Sequence, residues 1–151
     1  MANARLPHVM IVEARFYEDI ADELCRDAAA VLEAAGATHE RVAVPGAFEI
    51  PAAIAMAHGA DSSRFDGYIA LGCVIRGETT HYDYVCSESA RGLQDLAVNR
   101  GLAIGYGILT VENATQAWAR AAVDKKDKGA DAARACLQMI ELRRRLGPGS
   151  E

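Results

Sequence analysis

Short apolar runs alternate along the chain with longer segments in which apolar residues recur every three or four positions. A run such as GYIALGCV is continuously apolar, which is typical of a strand covered on both faces. THERVAV instead alternates apolar and polar residues, as a half-buried strand does. The pattern predicts four β-strands, at His8–Ala14, Thr38–Val44, Gly67–Val74 and Leu102–Leu109.

The segments between these runs predict helices, because their apolar residues fall on one face of a 3.6-residue period. In the first, Ile20, Leu24 and Ala28 lie four residues apart, and Gly36 is placed to end the helix. Asn113 and Gln116 form an approximate capping box for a later one, and Gly129 marks a break before the last. The predicted helices span 16–35, 48–59, 81–99, 113–126 and 130–146.

This order of elements predicts an α/β protein. Strands separated by helices pair in parallel through right-handed crossovers, which gives an open parallel sheet with helices on both faces. We expect a single domain over 1–151, with flexible ends at 1–7 and 147–151. In such sheets ligands bind at the carboxyl ends of the strands, so the loops that follow the four strands are the place to look for chemistry.

Composition excludes several classes of function. A formal charge of −5 disfavours nucleic acid as a partner, and no apolar run is long enough to cross a membrane or to act as a signal peptide. The widely spaced cysteines predict reduced, mostly buried thiols and a cytoplasmic protein without a metal site; they are Cys25, Cys73, Cys86 and Cys136.

The loop after the third strand, in LGCVIRGETTHYDYV, resembles a nucleotide-binding P-loop with one substitution. Gly72 and Gly77 have the spacing of the motif, but Glu78 stands where its lysine would be. Outward-pointing amides, the Thr79 hydroxyl and the start of a helix would together bind a phosphate without a lysine. Glu78 would repel a nucleoside triphosphate, and a simple tight turn capped by threonine remains the structural alternative.

Other polar and aromatic residues follow the strand ends. His81 has the side chain that titrates near neutral pH, so it is a candidate for proton transfer beside an anion. Phe16 and Phe48 would stack on a flat heterocycle or belong to the core. Glu49 would pair with ring nitrogens, and Arg120 would bind a phosphate or lie solvated on its helix.

Five blocks of residues resemble the 6,7-dimethyl-8-ribityllumazine synthase family. They are ARFYEDI, VPGAFEIPAAI, LGCVIRGETTHYDYV, GYGILTVENATQAWARA and DKGADAA, in this order from about Val9 to Met139. The resemblance implies a flavodoxin-like α/β/α sandwich around a four-stranded parallel sheet. It also implies a transferase of riboflavin biosynthesis that joins 5-amino-6-(D-ribitylamino)uracil and 3,4-dihydroxy-2-butanone 4-phosphate in the penultimate step, without cofactor or metal.

The resemblance also implies roles for individual residues. His81 would be the catalytic proton-transfer residue, and Glu78, Thr79 and Arg120 would bind the phosphate of the butanone substrate. Lys128 matches a lysine of the family and is a possible further site residue. The aminouracil would contact Phe16, Ala47, Phe48, Glu49, Cys73, Val74, Ile75 and Tyr106.

The resemblance further implies a homo-oligomer whose active sites lie between neighbouring subunits of a five-membered ring. Tyr17 and Asp127 each stand where the family usually has asparagine, and AAVDKKDKG, at 121–129, lacks a glycine that shell-forming members carry. We therefore expect an isolated homopentamer in preference to a decamer or a sixty-subunit shell. A ligand carrier without catalysis, a shell protein and a flavin carrier remain alternative functions.

Overall fold

Four parallel strands form one sheet in the described part of the computed structural model, which comprises residues 5–122 and 125–147. The strands are β1 (His8–Ala14), β2 (Thr38–Val44), β3 (Gly67–Ile75) and β4 (Ile104–Val111), in the spatial order β2-β1-β3-β4. All three neighbouring pairs run parallel. The predicted parallel α/β architecture is therefore confirmed.

Helices cover both faces of the sheet. They are α1 (Glu18–Ala34), α2 (Ile50–Ala60), α3 (His81–Arg100), α4 (Ala114–Ala121) and α5 (Lys128–Leu146), with a short 3-10 turn at Ala47–Glu49. One apolar core joins the sheet to α1, α4 and α5, and a second joins it to α2 and α3. The layers therefore form the three-layer α/β/α sandwich.

Side-chain alternation along β1 shows how the two cores divide the sheet. Val9 and Ile11 belong to the core under α1 and α5, whereas Met10 and Val12 belong to the core under α2 and α3. All four are at least nine-tenths buried. The edge strand β2 is more exposed, as its alternating sequence predicted.

Several predicted boundaries differ from the structure. The last strand was predicted at 102–109 but pairs over Ile104–Val111, because Leu102 and Ala103 are buried without belonging to the ladder. The fourth helix was predicted to reach residue 126 but ends at Ala121, where the backbone turns. The amides of Lys125 and Asp127 there both donate to the Ala122 carbonyl.

Gly129 does not break the last helix, contrary to the prediction. It lies inside the first turn of α5, which begins at Lys128. A Cβ atom at this position would be 2.4 Å from the carbonyl oxygen of Leu24 in α1. Glycine is therefore required here for the close approach of two helices rather than for a turn.

The ends of the chain were predicted to be flexible, and residues 1–4 and 148–151 lie outside the described residues. Within the described part, Arg5 pairs with the Asp66 carboxylate, and the Pro7 carbonyl accepts from the Thr38 amide at 3.0 Å. At the other end Arg143 donates to the carbonyl oxygens of Asp66 and Gly101 at 2.7 and 3.1 Å. These contacts join both terminal segments to the sheet near the beginning of β3.

Candidate active site

The carboxyl ends of β1, β2 and β3 meet around a cavity of about 380 Å³. This volume lies in the range of small-molecule sites, and its position is where parallel sheets bind ligands. We call it the first cavity. It is lined by Phe16, Tyr17, Gly46, Ala47, Phe48, Glu49, Cys73, Val74, Ile75, His81, Tyr84 and Val85.

Two aromatic rings at the first cavity are largely exposed. Phe16 is 73% exposed and Phe48 54% exposed, so neither is a core residue. Phe16 meets the Tyr17 ring edge to face, with centroids 4.9 Å apart and planes at 83°. An exposed aromatic face beside a concave surface suits stacking of a flat heterocycle.

The 3-10 turn after β2 brings Glu49 to the same cavity. The Glu49 amide donates to the Gly46 carbonyl at 3.1 Å, which closes the turn. Pro51 then lies in the first turn of α2, where a missing amide proton costs nothing. Glu49 therefore lines the cavity together with the two aromatic residues, from a turn closed by a hydrogen bond.

His81 is the first residue of α3 and lines the first cavity. Its backbone amide donates to the Thr79 hydroxyl oxygen at 3.3 Å, which fixes the end of the preceding loop. Glu78 and Thr79 are exposed in that loop but do not line the cavity. A helix N-terminus with an adjacent hydroxyl is favourable for an anion.

The P-loop arrangement considered from the sequence is not formed. Gly72 lies inside β3, which continues in register with β4 as far as Ile75 opposite Val111. A Cβ atom on Gly72 would approach the Ala14 Cβ atom to 3.1 Å, so this glycine serves close packing. Gly77 belongs to the loop, but neither glycine has a positive φ.

A second cavity of about 270 Å³ lies along β4. Its lining includes Arg120 from α4, Lys128 from α5 and Tyr106, which is 46% exposed. Arg120 donates to the Gln116 carbonyl at 3.1 Å, and no carboxylate of the described residues lies within ion-pair distance of it. The cavity thus combines an aromatic ring with two cations, and one of them has no anionic partner among residues 5–122 and 125–147.

All but two of the predicted site residues are therefore divided between two cavities, and the two exceptions, Glu78 and Thr79, line neither. Eight of them line the first cavity, namely Phe16, Ala47, Phe48, Glu49, Cys73, Val74, Ile75 and His81. Tyr106, Arg120 and Lys128 line the second cavity. Among the described residues the two linings have no member in common, so a single chain does not bring the two groups together.

Two arginines pair with the buried carboxylate of Glu13, a network that the sequence did not predict. Glu13 is 3% exposed and accepts from Arg15 at 2.5 Å and from Arg41 at 2.7 and 3.0 Å. Burial acts to raise the pKa of Glu13, but the hydrogen bonds from Arg41 and Arg15 lower it below its usual value. The sequence did contain one indication of this network, a glutamate inside an apolar strand, because a buried carboxylate is normally paired with a cation.

Tyr84 and Val85 also line the first cavity and were not predicted. Tyr84 lies three residues after His81 on α3, so both side chains fall on one helix face. That spacing was visible in the sequence and would have identified Tyr84 as a further site residue.

Cys73 forms part of the cavity wall as a neutral thiol. It is buried, and this burial raises its pKa to about 11. A thiol in that state is a poor nucleophile. Cys73 therefore contributes an apolar surface to the cavity rather than a covalent intermediate.

Three further observations concern the cysteines, possible metal sites and possible membrane spans. The four cysteines are free thiols. No group of three His, Cys, Asp or Glu side chains at 5–122 and 125–147 is arranged to hold a metal ion. In the same ranges, every helix is too short or too polar to span a bilayer.

Comparison with known proteins agrees with this geometry. The model of the 6,7-dimethyl-8-ribityllumazine synthase family matches residues 7–144. The chain is 61% identical to 6,7-dimethyl-8-ribityllumazine synthase 1 of Rhizobium meliloti, over 97% of this chain and 98% of that protein. It is 61% identical to the 6,7-dimethyl-8-ribityllumazine synthase of Agrobacterium fabrum, over 93% and 97% of the two chains. For the enzyme of the same name from Sphingopyxis alaskensis the identity is 56%, over 95% and 100%. The chain therefore belongs to the 6,7-dimethyl-8-ribityllumazine synthase family of enzymes.

Proposed function

We propose that the chain condenses 5-amino-6-(D-ribitylamino)uracil with 3,4-dihydroxy-2-butanone 4-phosphate to give 6,7-dimethyl-8-ribityllumazine, phosphate and water. This would be the penultimate step of riboflavin biosynthesis. The observation that carries the proposal is the first cavity, where an aromatic platform, a carboxylate and a histidine converge. These are the groups that a flat, hydrogen-bonding substrate and a series of proton transfers require.

The aminouracil would bind against Phe16, whose ring is free to stack on the pyrimidine. Glu49 would accept hydrogen bonds from the N–H groups of the substrate, beside Ala47 and Phe48 in the 3-10 turn. The edge formed by Cys73, Val74 and Ile75 would hold the ribityl chain. Because these side chains come from strand ends and a closed turn, the ring would be bound in one orientation.

The butanone phosphate would place its phosphate at the loop before α3. Thr79 would donate its hydroxyl, and Glu78 would contribute its backbone amide while its carboxylate points away. One arginine would complete a site for a monophosphate, and Arg120 is the candidate because its guanidinium has no carboxylate partner in the described chain.

His81 would then transfer protons between the two substrates. Attack of the substrate amine on the ketone forms a C–N bond and a carbinol, and loss of water leaves a Schiff base. Removal of a proton from the carbon chain expels phosphate, and attack of the second nitrogen closes the ring with a further loss of water. Each step needs a proton accepted from carbon or nitrogen or given to a leaving oxygen, which is the work of a neighbouring imidazole.

The division of the site between two cavities supports the proposal of a homo-oligomer. Arg120, Tyr106 and the possible site residue Lys128 would approach the first cavity of an adjacent copy, so that each active site lies at a subunit interface. A head-to-tail contact of this kind closes into a ring, and we favour a homopentamer. Val123 and Asp124, part of the segment from which we predicted an isolated pentamer, lie outside the described residues.

The location of the protein is part of the same proposal. Free thiols at Cys25, Cys73, Cys86 and Cys136 fit the reducing conditions of the cytoplasm. Small-molecule substrates and further copies of the chain would be its partners there.

Turnover with the two named substrates tests the function directly, because the lumazine product absorbs and fluoresces where the substrates do not. A protein that binds the aminouracil but forms no lumazine would be a carrier. A protein that is yellow as purified, through bound flavin, would favour a flavin carrier.

The shared site has a separate test. At low concentrations of butanone phosphate, subunits with His81→Ala and subunits with Arg120→Ala would each have much reduced activity alone, but dissociating and mixing them would restore some intact sites. Activity that fails to return on mixing, although the oligomers re-form, would contradict the interface. Analytical ultracentrifugation would show a species of about five times 16.1 kDa, and a shell of megadalton mass would refute the isolated pentamer.

A further inference from the structure

Arg76 lies at the point where the loop before α3 meets the loop after β4. It directly follows β3, and its amide donates to the Val111 carbonyl at 2.9 Å. Its guanidinium pairs with Glu112 at 3.0 Å and lies 3.7 Å from the Asp83 carboxylate. The same guanidinium lies over the Tyr82 ring, 4.3 Å from the centroid.

These contacts join two segments that serve different cavities. Asp83 and Tyr82 belong to the first turn of α3, next to His81. Glu112 belongs to the turn before α4, where its amide donates to Gln116 at 2.8 Å. Gln116 in turn lies one helical turn before Arg120, whose guanidinium donates to the Gln116 carbonyl.

The Tyr82 side chain forms a second link between the start of α3 and the second cavity. Its hydroxyl contacts the Thr110 side chain, and Thr110 lines the second cavity. A single cluster of Arg76, Tyr82 and Glu112 therefore spans the space between the histidine of one cavity and the arginine of the other.

We infer that Arg76 is a positioning residue, which holds the 77–80 loop and the start of α4 in the arrangement that phosphate binding needs. The inference rests on the proposed function, since it concerns the binding of butanone phosphate. Arg76 contacts no substrate in this assignment. Its charge is already compensated by Glu112 and Asp83 and its face is covered by Tyr82, so it acts through the loop and through α4.

The competing explanation is that Arg76 binds phosphate directly. A substitution of Glu112 distinguishes this explanation from a positioning role. If Arg76 binds phosphate directly, Glu112→Gln releases its charge and leaves phosphate binding unchanged or stronger. If Arg76 positions the loops, Glu112→Gln weakens phosphate binding in the same direction as Arg76→Met. A double variant would then be no worse than Arg76→Met alone, because both changes break one contact.

The experiment measures KM for each substrate and kcat for the wild type, Arg76→Met, Arg76→Lys, Glu112→Gln and the double variant. We expect KM for butanone phosphate to rise about three- to tenfold in Arg76→Met and Glu112→Gln, the scale of one exposed ion pair and one cation–π contact. KM for the aminouracil should change less than about twofold, and Arg76→Lys should be intermediate because it keeps the charge without the planar fork.

Arg91 of α3 provides a matched control for Arg76. It also pairs with two carboxylates, Glu88 at 2.7 Å and Asp95 at 2.9 Å, but lies outside both cavities. Arg91→Met should leave both KM values unchanged. Amide hydrogen exchange at 77–82 and 112–116 adds a readout that does not need turnover, and both segments should exchange faster in Glu112→Gln.

The outcomes separate this inference from the proposed function. A wild-type protein without turnover refutes the proposed function. A wild-type protein with turnover, together with a Glu112→Gln variant whose KM values and exchange rates match the wild type, refutes the positioning role. A fall in KM for butanone phosphate in Glu112→Gln would instead assign Arg76 to direct phosphate binding.

Discussion

Asp27 of α1 and Asp127, the residue before α5, contact each other through their carboxyl groups. Each has one buried oxygen atom without a hydrogen-bond donor in the described structure, Oδ2 of Asp27 and Oδ1 of Asp127. Asp27 is buried and Asp127 is half-buried, and a second carboxylate in contact disfavours the ionised form of Asp27. The pKa of Asp27 is raised to about 6, mainly by burial and to a smaller extent by the nearby Asp127, although Arg26 acts to lower it.

This pair predicts a pH dependence of stability. In the folded chain Asp27 retains a proton between about pH 4 and pH 6 that the unfolded chain releases, so its contribution to the free energy of unfolding is complete below pH 4 and is lost as the pH rises through 6. Asp127→Asn would remove the neighbouring carboxylate and supply an amide donor to Asp27, so the decrease, about 1–3 kcal/mol in the wild type, should become smaller. Denaturant unfolding at several pH values measures it.

Asp131→Asn is the matched control for Asp127→Asn. Asp131 is also near the start of α5 but is exposed and paired with Arg134 at 3.2 Å. Its variant should keep the pH dependence of the wild type. Parallel stability curves for Asp127→Asn and the wild type would show that Asp127 does not affect the ionisation of Asp27.

His81→Ala should reduce kcat by about 10²- to 10⁴-fold, the usual contribution of a general acid–base residue. His81 is exposed at the start of α3, so its removal should leave the melting temperature almost unchanged. Steady-state kinetics with both substrates at saturation measures the effect. A variant that retains full kcat would exclude His81 from proton transfer.

Arg120→Ala should weaken binding of the butanone phosphate by about 2–3 kcal/mol, because it removes a charge-assisted contact. KM for the aminouracil should remain close to that of the wild type. Arg134→Ala, an exposed arginine of α5 paired with Asp131, is the control. Equal KM values for butanone phosphate in Arg120→Ala and the control would contradict the role.

Phe16→Ala should weaken binding of the aminouracil and spare the phosphate substrate. Stacking of a base on an aromatic ring contributes about 1–3 kcal/mol in nucleic-acid systems, the nearest available scale. Because the ring is 73% exposed, the fold should lose little stability. Titration with the aminouracil measures the loss, and Phe16→Tyr should retain binding. Equal damage to both substrates would indicate a folding defect.

Gly129→Ala should destabilise the protein by about 1–3 kcal/mol, because the new methyl group would meet the Leu24 carbonyl oxygen and force α1 and α5 apart. Gly59 in α2 is the matched control, since a Cβ atom there would meet no other atom within 4 Å. Gly59→Ala should be neutral or slightly stabilising. Thermal unfolding of both variants decides between close packing and simple flexibility at Gly129.

The fold was predictable because buried strands and helices require apolar residues, and the order of the apolar runs along the chain therefore gives the order of the elements. Val9 to Val12 and Gly67 to Val74 have the continuous apolar sequence that is typical of strands in a covered sheet, and in the structure they belong to β1 and β3. Boundaries were less predictable, since an apolar run marks burial and not hydrogen bonding. Leu102 is buried yet lies outside β4. After Ala121 the sequence still fits a helix, but α4 ends at that residue.

Several residues of the first cavity were predictable for a different reason. Phe16, Glu49 and His81 each follow a strand end, and parallel strands bring those ends to one edge of the sheet. Contacts such as Glu13 with Arg41 or Asp27 with Asp127 depend on the distance between elements far apart in the chain. No local pattern contains that distance, so the structure was needed to find them.

The placement of two cavities on one chain has a consequence for gene dosage. Under the proposed assembly every chain supplies the histidine of one site and the arginine of another. A chain defective in both would disable two sites when it enters a ring with normal chains. Activity in a mixed population would then fall as the square of the fraction of intact chains, so a defective allele would be partly dominant over a normal one.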